Sequence, residues 1–350
     1  MTIYHARVVR RGIPAGNRRL VDRWTNENVH SESQNRKTSF AFSSPSARMT
    51  EMIRAKANAG GPIMTLNASA RGPVVYLDNW AFINLAKGDA WRRQRFLSAV
   101  HSGVDLLFSV TNAAELSGPQ GRSSHAIRAF LDEIGPRWFP AKHDPIEVIK
   151  CEIEGKRPDA CCVDQHFLKS YVADRLRSYE PGCGNVIDLS SDFFRLGPIL
   201  DRVGPQRASI YETSAEFDEL LKSRMSAVHA LSKRDPLLLD KKFPRIPFNA
   251  ARPACFVYFN LLRIMAIEAR CLKKGDGMDF CHAVVACAFA SFATLDTRWK
   301  HRVASLPTPN RIARIYGPAE LDQMVTDMES WARTTGHIAD ARTTVSVVAP

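Results

Sequence analysis

The 350-residue chain is 45% hydrophobic, carries a formal net charge of +12 and contains eight cysteines. That length buries a substantial core, in one large domain or two ordinary ones. No apolar run reaches the roughly 18 residues of a membrane-spanning helix, no continuous apolar stretch near the start reads as a secretory signal, and no cysteine pair has the CxxC spacing of a zinc knuckle, so a cytoplasmic chain with free thiols is expected.

Residues 1–63 are rich in Arg, Ser, Asn and Gly and lack a sustained period, which reads as a disordered basic extension. They hold 11 Lys and Arg against 4 Asp and Glu, more than half of the net charge. An Arg- and Ser-rich composition also suits a transit peptide, against which Asp22, Glu27 and Glu32 count. A start placed too early is a third account, because Met64 directly precedes the first patterned segment. From Pro73, "VVYLD" reads as a buried strand, "NWAFINLAKG" as a short helix stopped by Gly88, and "WRRQRFLSAVHSG" as an amphipathic helix closed by Gly103. "VDLLFSV" is a second strand, and Thr111 or Asn112 is placed to cap the helix carrying Glu115. Strand, helices, strand, helix is the opening of a parallel α/β sheet.

Residues 64–118 thus form the first part of a sheet domain. Between 119 and 252 the periods are mainly helical, in "SHAIRAFLDEIG", "VDQHFLKSYVADRLRSY" and "SAEFDELLKSRMSAVHALSK", which reads as a helical insertion. The second part, 253–333, begins with an apolar helix from Pro253. There Asp276 and Asp279 lead an apolar helix, "SFATLD" is a strand ending on Asp296, "NRIARIYG" is a last strand and "PAELDQMVTDMESWA" a last helix. Residues 334–350 read as a tail.

Carboxylates finish these strands. In an open parallel sheet, the carboxyl ends of the strands and the starts of the following helices face one crevice, where ligands bind. Asp78 and Asp296 fall at strand ends, and Glu115 and Asp279 near the starts of their helices. Four acids in one crevice repel each other unless a hard cation such as Mg²⁺ or Mn²⁺ joins them, the arrangement that phosphodiester hydrolysis requires. Each has an ordinary alternative as a helix cap or a partner of the helix dipole, and Asp276 competes with Asp279 for the same role.

"VVYLDNWAFINLA", "SVTNAAEL" and "MDFCHAVVACAFASFATLD" together resemble the PIN-domain nucleases, named for the PilT N-terminus. The resemblance covers roughly residues 73–118 and 253–316. It implies a three-layer α/β/α parallel sheet, metal-dependent nuclease activity, and Asp78, Glu115, Asp279 and Asp296 as the ligand set. It also implies a Thr294 hydroxyl that orients metal-bound water. Family members usually have a small hydroxyl residue and then Asn after the first Asp; here Asn79 and Trp80 follow, leaving Asn79 to support Asp78. The interval 119–252 makes the chain a larger protein than the compact toxins of that family.

His282, three residues after Asp279, is placed to contact phosphate or orient Asp279. Arg92, Arg93, Lys273, Lys274, Arg298 and Lys300 flank the acidic elements and are candidates to steer a polyanion. Trp80, Trp299 and Phe280 are candidates to stack on bases, or core residues. The leading expectation is an endoribonuclease using Mg²⁺ or Mn²⁺, with RNA ahead of DNA as partner, no membrane, and room for a homodimer or a regulatory protein. The alternatives are a non-catalytic RNA-binding or protein-interaction scaffold on the same fold and, ranked lower, an aspartyl-phosphate phosphatase, whose second acid is missing because position 80 is Trp.

Overall fold

The computed structural model describes residues 72–118, 123–178, 195–235 and 237–335, with the short paired segments 54–58, 61–67, 186–188 and 346–348. Most of the basic extension and of the tail lies outside the described residues. Within the extension, Arg54–Asn58 pairs antiparallel with Gly61–Asn67, so the strand-free reading fails there. Ser346–Val348 of the tail pairs antiparallel with Val186–Asp188.

The central sheet has five strands, numbered here in chain order: β1 (Val74–Tyr76), β2 (Asp105–Ser109), β3 (Trp138–Ala141), β4 (Phe292–Thr294) and β5 (Arg314–Tyr316). Every pairing is parallel, and the order across the sheet is β3-β2-β1-β4-β5. Parallel strands buried on both faces read as continuous apolar runs; β2, "DLLFS", is buried at every position. The chain grows outward from β1 in one direction through β3, then returns to β1 and grows the other way. The point where the order reverses therefore lies between β1 and β4, and ligands of open α/β sheets bind there, beyond the carboxyl ends of the strands.

Helices cover both faces. Val75, Leu77, Leu106 and Phe108 pack with α1 (Asn79–Lys87), α2 (Ala90–His101), α4 (Ser123–Ile134) and α14 (Leu321–Thr335), through Phe82, Phe96, Phe130 and Met328. A short helix, α3 (Val110–Leu116), follows β2. Val74, Tyr76, Leu107 and Ala293 face the other way, onto Val285 and Ala286 of α12 (Asp276–Phe289). The α/β three-layer arrangement follows from this alternation along each strand. Among the described residues, no helix is long and apolar enough to cross a membrane.

The interval 119–252, read as a mainly helical insertion, holds β3, an edge strand of the sheet, so α4 and β3 belong to the sheet domain. After β3 come α5 (Pro145–Ile153), α6 (Pro158–Cys162), α7 (Gln165–Ser178), α8 (Gly197–Val203), α9 (Arg207–Ser232) and α10 (Leu237–Lys242), then the apolar α11 (Pro253–Ile267). The helix after Asp296 is α13 (Thr297–Ala304).

Two acids from this interval support the starts of later helices. Glu152 of α5 accepts from the backbone of Ala254 and Cys255 at the head of α11, at 2.9 and 2.8 Å. Asp218 of α9 accepts from Gly275 and Gly277 at the head of α12, at 2.9 and 2.8 Å. A carboxylate there satisfies amide groups that have no partner within the helix and complements the helix dipole. Gly275 takes the left-handed conformation, φ 95°, and a side chain on Gly277 would meet the Asp218 backbone at 3.0 Å. Gly277→Val should accordingly destabilise the protein by about 1–3 kcal/mol, through overpacking against α9; urea unfolding measures it, and an unchanged midpoint would refute the close approach.

Candidate active site

The turn from each central strand into the next helix sets the site. Asp78 is the N-cap of α1, its Oδ1 accepting from Asn79 N at 2.8 Å. Asp296 caps α13 in the same way, its Oδ1 accepting from Trp299 N at 2.7 Å. Capping leaves the second oxygen of each acid uncommitted, since among the described residues neither Oδ2 accepts a hydrogen bond. The two strand ends are joined directly, for Asp78 N donates to Thr294 Oγ1 at 2.8 Å. Thr294 is fully buried, and its oxygen fixes the Asp78 backbone.

Asp279 sits one turn into α12 with 42% of its side chain exposed, and accepts from Trp299 Nε1 at 3.2 Å. Trp299, buried at 1% exposure, thus holds two acids at once, Asp296 by its backbone and Asp279 by its indole. Asp276 has a different part. It is 1% exposed and accepts from Arg298 Nη1 at 3.0 Å, from Arg298 Nη2 and from Lys273 N at 2.7 Å. Arg302 Nη1 lies 3.5 Å away and stacks over Trp299, 4.6 Å from the ring centre. The competition between the two aspartates is resolved by burial: Asp276 is a structural ion-pair partner, and Asp279 opens to the crevice.

Glu115 stands in the second turn of α3, not its first, because the cap is Ser109 rather than Thr111 or Asn112. The capping box fixes more than the helix. Asn112 Oδ1 accepts from Ser109 N at 3.0 Å and from Ser109 Oγ at 2.9 Å, which turns its amide Nδ2 toward Tyr76, where it donates to the hydroxyl at 3.3 Å. The Tyr76 hydroxyl is also hydrogen-bonded to His282 Nδ1. The other ring nitrogen, Nε2, faces Glu115 Oε1 at 3.7 Å. His282, 5% exposed, is therefore turned toward Glu115.

The acids act on one another. Burial raises the Asp78 carboxyl to about 6, with Glu115 and Asp296 adding to the rise and His282 and the Asn79 amide opposing it. Burial and then Asp78, Asp296 and Asp276 raise Asp279 to about 7 against His282; its open face lets water temper the burial. Burial alone depresses His282, and Glu115, Asp78 and Asp279 outweigh it, so the imidazole ends above its usual value. Burial drives the Tyr76 phenol far upward, keeping it a neutral donor. His143, just past β3 with its ring centre 5.0 Å from that of His282, is pushed well below its usual value by burial and by that neighbour. Among the described residues, no three of His, Cys, Asp or Glu are grouped to hold a metal ion.

The expected cations divide. Arg92 pairs with Asp322, Arg93 with Glu133, Arg298 with Asp276 and Lys300 with Glu320, so these four tie elements together. Lys273 and Lys274 are exposed, without an acidic partner among the described residues. Trp299 and Phe280 are core residues, and Trp80 packs against the core. Asn79 does support Asp78, through its backbone, while its own Oδ1 is buried without a partner. Sequence reasoning missed Tyr76, Asn112, His143 and the Trp299 clamp. The available signal was parity: Tyr76 lies two residues before Asp78 in an extended segment, and so shares its face.

No family model, curated protein or solved structure matches this chain.

Two predictions follow from burial and charge. Asp276→Ala removes the buried acceptor of Arg298 and of the Lys273 amide, while Arg302 keeps Glu268 at 2.9 Å, and should cost about 1–3 kcal/mol, whereas Asp279→Ala should cost far less; equal losses in urea would overturn the division of roles. Raised carboxyl pKa values mean that the folded state holds these protons more tightly than the unfolded state. Their contribution is therefore most favourable below about pH 4, the unfolded value, and is lost as pH rises to about 6 for Asp78 and about 7 for Asp279. Asp78→Asn, which keeps a capping side chain, should raise the metal-free melting temperature at pH 8 and leave it nearly unchanged at pH 4.

Proposed function

We propose that the protein is a metal-dependent endonuclease on a PIN-like fold, most simply an endoribonuclease of the cytoplasm that hydrolyses phosphodiester bonds with Mg²⁺ or Mn²⁺. The observation that carries this reading is the position of Asp78 and Asp296 just past the two strands flanking the reversal of the sheet, with Glu115 near enough to perturb Asp78 and Asp78 near enough to perturb Asp279. A parallel three-layer α/β fold with acids at this point is what the resemblance to PIN-domain nucleases implies.

The donor set suits such a cation. It is all hard oxygen, and Asp78 and Asp296 each keep one oxygen free of hydrogen bonds among the described residues. Mg²⁺ is commonly bound through one or two carboxylates while keeping several waters, so the lack of a closed three-donor group is compatible with it. Asp78, Glu115, Asp279 and Asp296 would hold the ion, directly or through water. When bound, it lowers the pKa of an attacking water and stabilises the leaving oxyanion.

Positioning falls to the chain's own residues. Thr294 keeps the Asp78 backbone against β4, Trp299 orients Asp279 and Asp296, and the sequence Ser109, Asn112, Tyr76, His282 sets the imidazole against Glu115. A non-catalytic RNA-binding scaffold is the second reading, favoured by the absence, among the described residues, of three donors already grouped for metal.

Incubation of labelled single-stranded RNA and DNA with Mn²⁺, Mg²⁺ or EDTA separates the two. Metal-dependent cutting is expected, reduced at least about a hundredfold in Asp78→Asn and Asp296→Asn with melting curves showing an intact fold. Full activity in both variants refutes the assignment, and RNA binding without cutting or metal uptake supports the scaffold.

A further inference from the structure

The long helix α9 and the segment that follows α11 share a basic groove. His229, Lys233 and Arg234 at the end of α9 and Arg270 on the facing segment line a shallow hollow of about 370 Å³, to which no carboxylate contributes. Lys233, Arg234 and Arg270 are exposed and, among the described residues, have no acidic partner. That sets them apart from Arg92, Arg93, Arg298 and Lys300, whose charges are already matched.

The groove has a direction. Asp218 holds Gly275 and Gly277 at the head of α12, and His229 lies 11 positions further along α9, about 16 Å at 1.5 Å per residue. The segment from Arg270 to Gly275 must cover that distance back, and it carries Lys273 and Lys274 between the two points. Three residues after Asp276, the same run reaches Asp279. A file of five unmatched cations thus follows α9 toward the acids at the sheet. Cations at a helix end favour its dipole, which accounts for Lys233 and Arg234 but not for Arg270, Lys273 and Lys274 in a separate segment.

We propose that this file binds the phosphate backbone of a single-stranded nucleic acid and leads it to the carboxylates. The proposal rests on the nuclease reading for what lies at the end of the track, and it extends that reading by assigning substrate contact to α9 and to the segment before α12. Backbone contacts of this kind position a strand without reading its sequence.

The test is binding of a fluorescent 20-nucleotide single-stranded RNA, the matching DNA and a polyglutamate peptide to the full chain in EDTA, where metal-dependent cutting is off, across a range of salt. Lys233→Gln/Arg234→Gln/Arg270→Gln removes three cations. Each is expected to account for about 0.7 in the slope of log K against log salt, so the slope should fall by about 2 and affinity at 0.1 M salt about a hundredfold. Lys273→Gln/Lys274→Gln, an independent surface pair, should lower the slope by about 1.4. Binding of either nucleic acid with these losses sustains the proposal, and the tighter one names the substrate. Slopes and affinities unchanged in both variants, or binding to polyglutamate alone, overturn it. Because binding is read without metal, loss of binding in a protein that never cuts would leave the track standing while the nuclease reading falls.

Discussion

The hydrogen bond from the Asp78 amide to the Thr294 hydroxyl crosses the sheet where its order reverses. On either side of it the chain departs toward opposite edges, and each of the two strands leads into a helix capped by an acid. A free polar hydrogen at that depth is costly to leave unpaired, and this bond both satisfies it and fixes the spacing of the two carboxylates. Trp299 extends the constraint to α12, and the Asp276–Arg298–Arg302 group clamps α12 to α13 behind it. Like charges are thus held together by neutral donors and by cations set out of the crevice.

What the sequence made legible was local. Apolar runs gave β1, β2 and β4, and the strand-terminal aspartates marked the crevice without reference to tertiary structure. The edge strand β3 was hidden because "WFPA" is short and contains Pro140, a residue tolerated in edge strands but counted against a strand in sequence. Burial decided between Asp276 and Asp279, and burial depends on Arg298 and Arg302, over 20 residues away. The pairing of Arg92 with Asp322 spans 230 positions, beyond any periodicity argument. His282 was visible as a candidate, but its orientation comes from Tyr76 at the end of β1 and Asn112 in the first turn of α3.

The helices between β3 and α11 are joined to the rest by more than chain continuity. Asp218 and Glu152 reach out of them to finish the starts of α12 and α11, the two helices packed behind the carboxylates. Removing this interval would strip α12 of its cap and leave a buried glycine turn unsupported. The interval therefore belongs to the architecture of the site, and its outer surface remains available for contact with a partner.

Both Asp78 and Asp296 are helix caps, and this bears on the order of assembly. The partial positive charge at the start of α1 and α13 offsets part of each carboxylate's charge. Backbone amides, a threonine and a tryptophan complete the framework. The placement of both acids is thus complete once the two helices close, because the polypeptide alone supplies every group that holds them.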